Sequence, residues 1–154
     1  MRVRRTLLTA SVVAALACAA AASGASGATV ELHSTGGLYS EYTFLVDSGG
    51  YTLYTFSKDK GSTRRRSRDR CQRIKGCAEG WPPLVVTEAP TAGPGVDPML
   101  LSTLTLRNGS KQVTYAGRPL YTNAGDPPYE IYYFGFREFR GFWYGLTAAG
   151  VQIH

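Results

Sequence analysis

The chain has 154 residues, 17 Lys and Arg against 11 Asp and Glu, and a formal net charge of +6. The excess is local: Lys58 to Lys75 holds nine basic and two acidic residues, whereas the rest of the chain after Ala28 holds five basic and nine acidic. This excludes a uniformly basic surface, and the roughly 126 residues beyond Ala28 suffice for one domain with a modest core, so stability need not come from disulfides alone.

Residues 1–28 read as a secretory signal peptide. Arg2, Arg4 and Arg5 precede an apolar run from Leu7 to Ala22, and small residues from Ser23 to Ala28 offer cleavage after Ala25 or Ala28. Arg4-Arg5 only faintly matches a twin-arginine signal. Ala15-Leu16-Ala17-Cys18 looks like a degenerate lipobox, in which Cys18 would be lipidated and anchor the chain to the membrane. Ordinary cleavage is the preferred reading, which makes the protein secreted or extracellular. Beyond Ala28 no apolar run is long enough for a transmembrane helix.

Residues 29–41 are polar and Gly-rich and are expected to be a loose entry segment. Tyr42, Phe44 and Val46 alternate with Thr43, Leu45 and Asp47, a strand signal. Asp47-Ser48-Gly49-Gly50 supplies a turn, and Tyr51 to Phe56 reads as the next strand, with Tyr54 and Phe56 on one face. Lys58 to Gly80 is an excursion. Cys71 and Cys77 are the only cysteines beyond the leader, and in an oxidising compartment they are expected to bridge. Half a metal site is the alternative, but His33 and His154 are far off in sequence and zinc needs two more ligands. After Trp81-Pro82-Pro83, Leu84 to Val86 can pair as a strand. Residues 88–98, rich in Pro and Gly, form a connector. Thr103–Arg107 and Ser110–Tyr115 flank Asn108-Gly109, a hairpin signal. A two-residue type I′ turn sets Leu104 opposite Val113; because it also places Leu106 against Lys111, a longer loop is the alternative. Tyr129 to Tyr144 holds nine of the eighteen aromatic residues. Helix-period patterning is absent outside the leader. The expected fold class is therefore all-β: a small compact domain over 29–154 with one disulfide-closed loop.

One stretch recurs. Gly50 to Asp59 returns as Gly117 to Asp126, with Gly, Leu, Tyr, Thr and Asp at the same offsets, and Trp81 and Trp143 each follow one copy. The reading is two similar β repeats, about 42–87 and 99–154, rather than a long array. Asp47 to Phe56 with Asp59, Cys71, Cys77 and Trp81-Pro82-Pro83-Leu84, followed by Gln112 to Tyr121 with Asp126 and Trp143-Tyr144, resembles the bacterial secreted-repeat, or predicted lipoprotein, family. That family is defined by a Tyr-x-aromatic-x-x-Asp motif. The resemblance covers about residues 42–146 and implies an exported or envelope-attached two-repeat β protein, without implying a reaction. Three departures stand out: Asn123 replaces an aromatic, Arg64 to Arg70 enlarges the first loop, and Tyr129 to Arg137 replaces a Gly-rich segment.

Tyr54, Phe56, Tyr121, Trp81 and Trp143 read as core, with a ligand platform as the alternative. Asp59 and Asp126 read as turn or capping carboxylates that bond backbone N–H groups. The alternative makes them a general acid and base, or calcium ligands, although no Asp-rich loop surrounds either. Arg64, Arg65, Arg66, Arg68, Arg70 and Arg73 are candidates for binding anionic envelope polymers or lipid headgroups, or else a solvated loop. Nucleic acid is not expected of an exported chain. Neither histidine sits in a nucleophile motif, and Met99, His33 and His154 make no convincing haem ligands, so no enzyme, metal or cofactor is expected. The expected role is binding or structural. The alternative is an enzyme or redox accessory acting on cell-wall material through Asp59 and Asp126.

Overall fold

The computed structural model describes residues 29–36, 42–59 and 69–154. The leader with Cys18, and Arg64, Arg65, Arg66 and Arg68, lie outside the described residues. Val30–Thr35 (β1) and Tyr42–Asp47 (β2) form an antiparallel pair, with Val30 opposite Asp47 and Thr35 opposite Tyr42. The loose entry expected at 29–41 is therefore corrected over 30–35. Val30 is fully buried, its N–H donates to Thr91 O, and its carbonyl accepts from Gly93 N–H. Pairing with β2, and the remote contacts of Val30 with Thr91 and Gly93, outweigh the weak local β signal of Glu31, His33 and Ser34.

The second strand is shorter than Tyr51 to Phe56. Tyr54–Phe56 (β3) pairs antiparallel with Gly141–Gly145 (β9), whose other neighbour is Phe134–Glu138 (β8). Before β3, Tyr51 is still in the turn, where its carbonyl accepts from Asp47 N–H, and Thr52 makes a single bridge to Val46. The third sheet places Lys111–Tyr115 (β6) between Val85–Val86 (β4) and Leu101–Thr105 (β5), with Arg118–Pro119 (β7) also pairing to β6. The excursion carries a 3-10 turn, Cys71–Arg73, and a one-turn helix, Cys77–Gly80 (α1), tied by the Cys71–Cys77 disulfide.

The β5–β6 hairpin takes the longer loop. Thr103 lies opposite Val113 and Leu104 opposite Gln112, one residue away from the type I′ register. Leu106 N–H donates to Ser110 O and Gly109 N–H to Leu106 O, with Gly109 at φ 86°. Glycine tolerates this left-handed position, as a three-residue hairpin loop requires.

Two apolar clusters lie on opposite faces of the Leu53–Phe56 segment, as alternation demands. Tyr54 and Phe56 join Phe44, Val46, Trp81, Tyr121, Trp143 and the disulfide. Leu53 joins Val30, Leu45, Val113, Tyr115, Leu120 and Leu146. Burying each large side chain contributes roughly 1.5–3 kcal/mol.

Candidate functional site

The two copies of the repeated motif meet at their tyrosines. Tyr54 N–H donates to Tyr121 O at 2.8 Å, and Tyr121 N–H donates to Tyr54 O at 3.0 Å. The side chains then exchange partners: Tyr54 Oη donates to Asp126 Oδ2 at 2.7 Å, and Tyr121 Oη lies 2.6 Å from Asp59 Oδ2. Each tyrosine thus reaches the carboxylate that follows the other one. Further pairing keeps the same pattern. Tyr54 lies opposite Gly145, two residues after Trp143, and Tyr121 bridges Pro83, two residues after Trp81.

Above this crossing the indoles of Trp81 and Trp143 stack with centroids 3.9 Å apart and an interplanar angle of 5°. Tyr54 meets Trp81 edge-on at 5.4 Å, and Tyr121 meets Trp143 edge-on at 5.2 Å. Phe56 stacks on Trp143 at 4.5 Å. Its counterpart Asn123 has no ring, and Trp81 is covered instead by Tyr133 at 5.0 Å. Trp81 Nε1 donates to Glu138 Oε2 at 2.6 Å, whereas buried Trp143 Nε1 has no partner among the described residues.

Both motif carboxylates are buried, Asp59 at 6 % exposure and Asp126 at 8 %. Asp59 Oδ1 accepts from Arg70 N–H at 2.6 Å, so it fastens the far end of the excursion. Asp126 is held by the Tyr54 hydroxyl, and its own N–H closes a turn onto Asn123 O at 3.4 Å. Burial pushes the Asp59 carboxyl up to about 7, opposed by the bonds from Tyr121 and from Arg70 N–H. Burial also raises Asp126, against the Tyr54 bond. The phenols of Tyr54 and Tyr121 rise far above their ordinary value, first through burial and then through the carboxylates they face.

Sequence reasoning missed Asp69, which is buried beside Asp59. Asp69 Oδ1 lies 2.9 Å from Tyr121 Oη and accepts from Gln72 N–H at 2.9 Å. Burial raises its carboxyl too, and Oδ2 is buried without a partner among the described residues. The available signal was an acid inside a basic run, two residues before a cysteine. Glu138 and Tyr133 were also missed, within an aromatic stretch whose faces alternate irregularly. There Trp143 is interior, while Phe134, Phe136 and Phe142 stay substantially exposed.

The structure brings together seven of the expected residues: Tyr54, Phe56, Asp59, Trp81, Tyr121, Asp126 and Trp143. Arg70 and Arg73 are instead exposed, on the disulfide loop. Among the described residues no three His, Cys, Asp or Glu side chains converge as metal ligands, and no helix is long and apolar enough to cross a membrane. What the tyrosine–aspartate assembly offers chemically is a set of buried hydrogen bonds between phenols and carboxyl groups. No family model, curated protein or solved structure matches the chain.

Proposed function

We propose that the chain is an exported, envelope-associated or secreted β module with a binding or structural role, and that its arginine-rich excursion contacts anionic envelope polymers or lipid headgroups. One observation carries this reading: the repeated motif is used up inside the fold. Tyr54, Phe56, Trp81, Tyr121 and Trp143 are buried, and Asp59 and Asp126 face tyrosine hydroxyls rather than an open cleft. A motif spent on fastening the interior favours a scaffold that recognises its partner through outward-facing segments. The stretch richest in charge along the sequence is Lys58 to Lys75, and its described arginines, Arg70 and Arg73, are exposed. The reciprocal tyrosine–aspartate bonds favour a two-repeat organisation and agree with the motif-level resemblance to the secreted-repeat family. The leader favours export.

The test replaces Arg64, Arg65, Arg66 and Arg68 together by Ser and measures retention on purified cell envelope across a salt series. A cluster of like charges that meets an anionic surface in water gives a screened attraction, so binding of the parent chain should weaken steeply with salt. The variant should lose most of that salt-sensitive binding and keep its melting temperature. Retention unchanged by the four substitutions refutes the arginine-rich contact.

A further inference from the structure

The Tyr121 hydroxyl carries one hydrogen, yet its oxygen touches two carboxyl groups, Asp59 Oδ2 at 2.6 Å and Asp69 Oδ1 at 2.9 Å. Each such contact between oxygens needs its own hydrogen. With both carboxylates ionised, the phenol hydrogen serves one, and the phenol lone pairs face the charge of the other. Burial of all three side chains makes that arrangement costly, because an unmatched charge is poorly solvated there. A second hydrogen on one carboxyl resolves the count. The carboxyl O–H then donates to Tyr121 Oη, and Tyr121 O–H donates to the remaining carboxylate.

The surrounding groups decide which carboxyl holds it. Asp69 Oδ1 also accepts from Gln72 N–H at 2.9 Å, and Arg73 nearby favours its charged form. Asp59 Oδ1 is occupied by Arg70 N–H, which leaves Oδ2 to carry the hydrogen towards Tyr121. Among the described residues Arg70 is the cation facing Asp59 and Asp69 the facing acid; Trp143, packed edge-on to Tyr121 from β9, contributes no charge.

We propose that Asp59, Tyr121 and Asp69 form a buried proton-binding site, with one proton held on Asp59 in the folded protein, and that losing this proton loosens the disulfide loop from the second motif copy. The loop depends on this site because Arg70 N–H and Gln72 N–H, on either side of Cys71, end on the two carboxylates. The push of Asp59 to about 7 by burial agrees in direction. A carboxyl raised on folding binds more protons in the native than in the unfolded chain between about pH 4 and pH 7. Its stabilising contribution is full below the unfolded value and is lost as pH rises through the folded one.

The test is a carbon-detected NMR titration of the full, oxidised chain labelled at Asp carboxyl carbons, from pH 3 to pH 9. Asp59 should titrate within about one unit of pH 7, and the Arg70 and Gln72 amides should shift and exchange faster with the same midpoint. Chemical denaturation should show the folding equilibrium constant falling by up to about tenfold per pH unit between pH 4 and pH 7. In Asp59→Asn the side-chain N–H replaces the carboxyl O–H, so the Asp59 part of that slope should vanish and leave only what Asp69 and Asp126, also raised by burial, contribute. Asp59 titrating below pH 5 overturns the proton site, as does a stability profile that is flat or rises across that range. A near-neutral Asp59 whose midpoint the two amides ignore overturns the attachment. The titration of the parent chain decides the matter even if the variant does not fold.

Discussion

At the scale of single residues, the two motif tyrosines are not equivalent. Tyr54 serves one carboxylate, Asp126, whereas Tyr121 stands between Asp59 and Asp69. Removing a hydroxyl leaves its buried partner unsatisfied, at a cost of about 1–3 kcal/mol for each group stranded. Tyr54 Oη also accepts from Tyr132 N–H, but at 3.3 Å and only part-buried. Tyr121→Phe, which takes a short contact from each of two buried carboxyl groups, should therefore destabilise the chain more than Tyr54→Phe, by roughly 1 kcal/mol, measured by urea denaturation at pH 7. Equal losses would mean that Asp69 gains nothing from Tyr121. Much of this residue-level picture was legible beforehand. Tyr54 and Phe56 alternate with Leu53 and Thr55, and that local period assigns them to one face without knowledge of the rest of the chain. The bond partners were not legible. Tyr54 and Asp126 are 72 residues apart, Tyr121 and Asp59 are 62 apart, and spacing within a motif carries no information about which copy supplies the carboxylate.

At the scale of elements, the β3–β9 ladder depends on one small residue. Gly141 opens β9, and a Cβ built there would run into the Phe56 ring and come 2.9 Å from Lys58 Cγ. Phe56 cannot easily yield, since it stacks on Trp143 at 4.5 Å in the core. Gly141→Ala should thus cost about 1–3 kcal/mol by overpacking, read as a lowered melting temperature with an unchanged β-type circular dichroism spectrum. An unshifted melting temperature would show that Phe56 repacks freely. The elements also mark where sequence reasoning stops. The β5–β6 hairpin was visible from Asn108-Gly109, but its register was not, because two- and three-residue loops both accept a glycine there and tertiary packing chooses between them. In the observed register Gln112 is buried, with its Nε2 bonded to Leu120 O at 2.8 Å. β1 escaped notice because Glu31, His33 and Ser34 look like loop, and its pairing comes from β2 and from Thr91 and Gly93.

At the scale of the whole molecule, the motif copies fasten the first half of the chain to the second. β3 from the first half is flanked by β9 and bridged to Tyr121, both from the second. The Trp81–Trp143 stack and both tyrosine–aspartate bonds also cross between halves. A half taken alone would expose one face of its indole, strand its tyrosine hydroxyl, take the facing tyrosine from Asp59 and Asp69 in the first half or from Asp126 in the second, and leave a strand edge open. Residues 29–98 and 99–154, produced separately, should therefore each be largely unstructured, and mixing them should restore a β-type spectrum and dispersed amide resonances in an equimolar complex. The intact chain should unfold in one cooperative transition with coincident fluorescence and circular dichroism midpoints. A folded spectrum from 29–98 alone would show that each half completes its own core, and would reduce the exchanged bonds to a contact between independent units. Failure of the halves to recombine, with both unfolded, would instead place the connector among the elements needed for folding. The reciprocity of the bonds favours recombination, because every group stranded in one half finds its partner in the other.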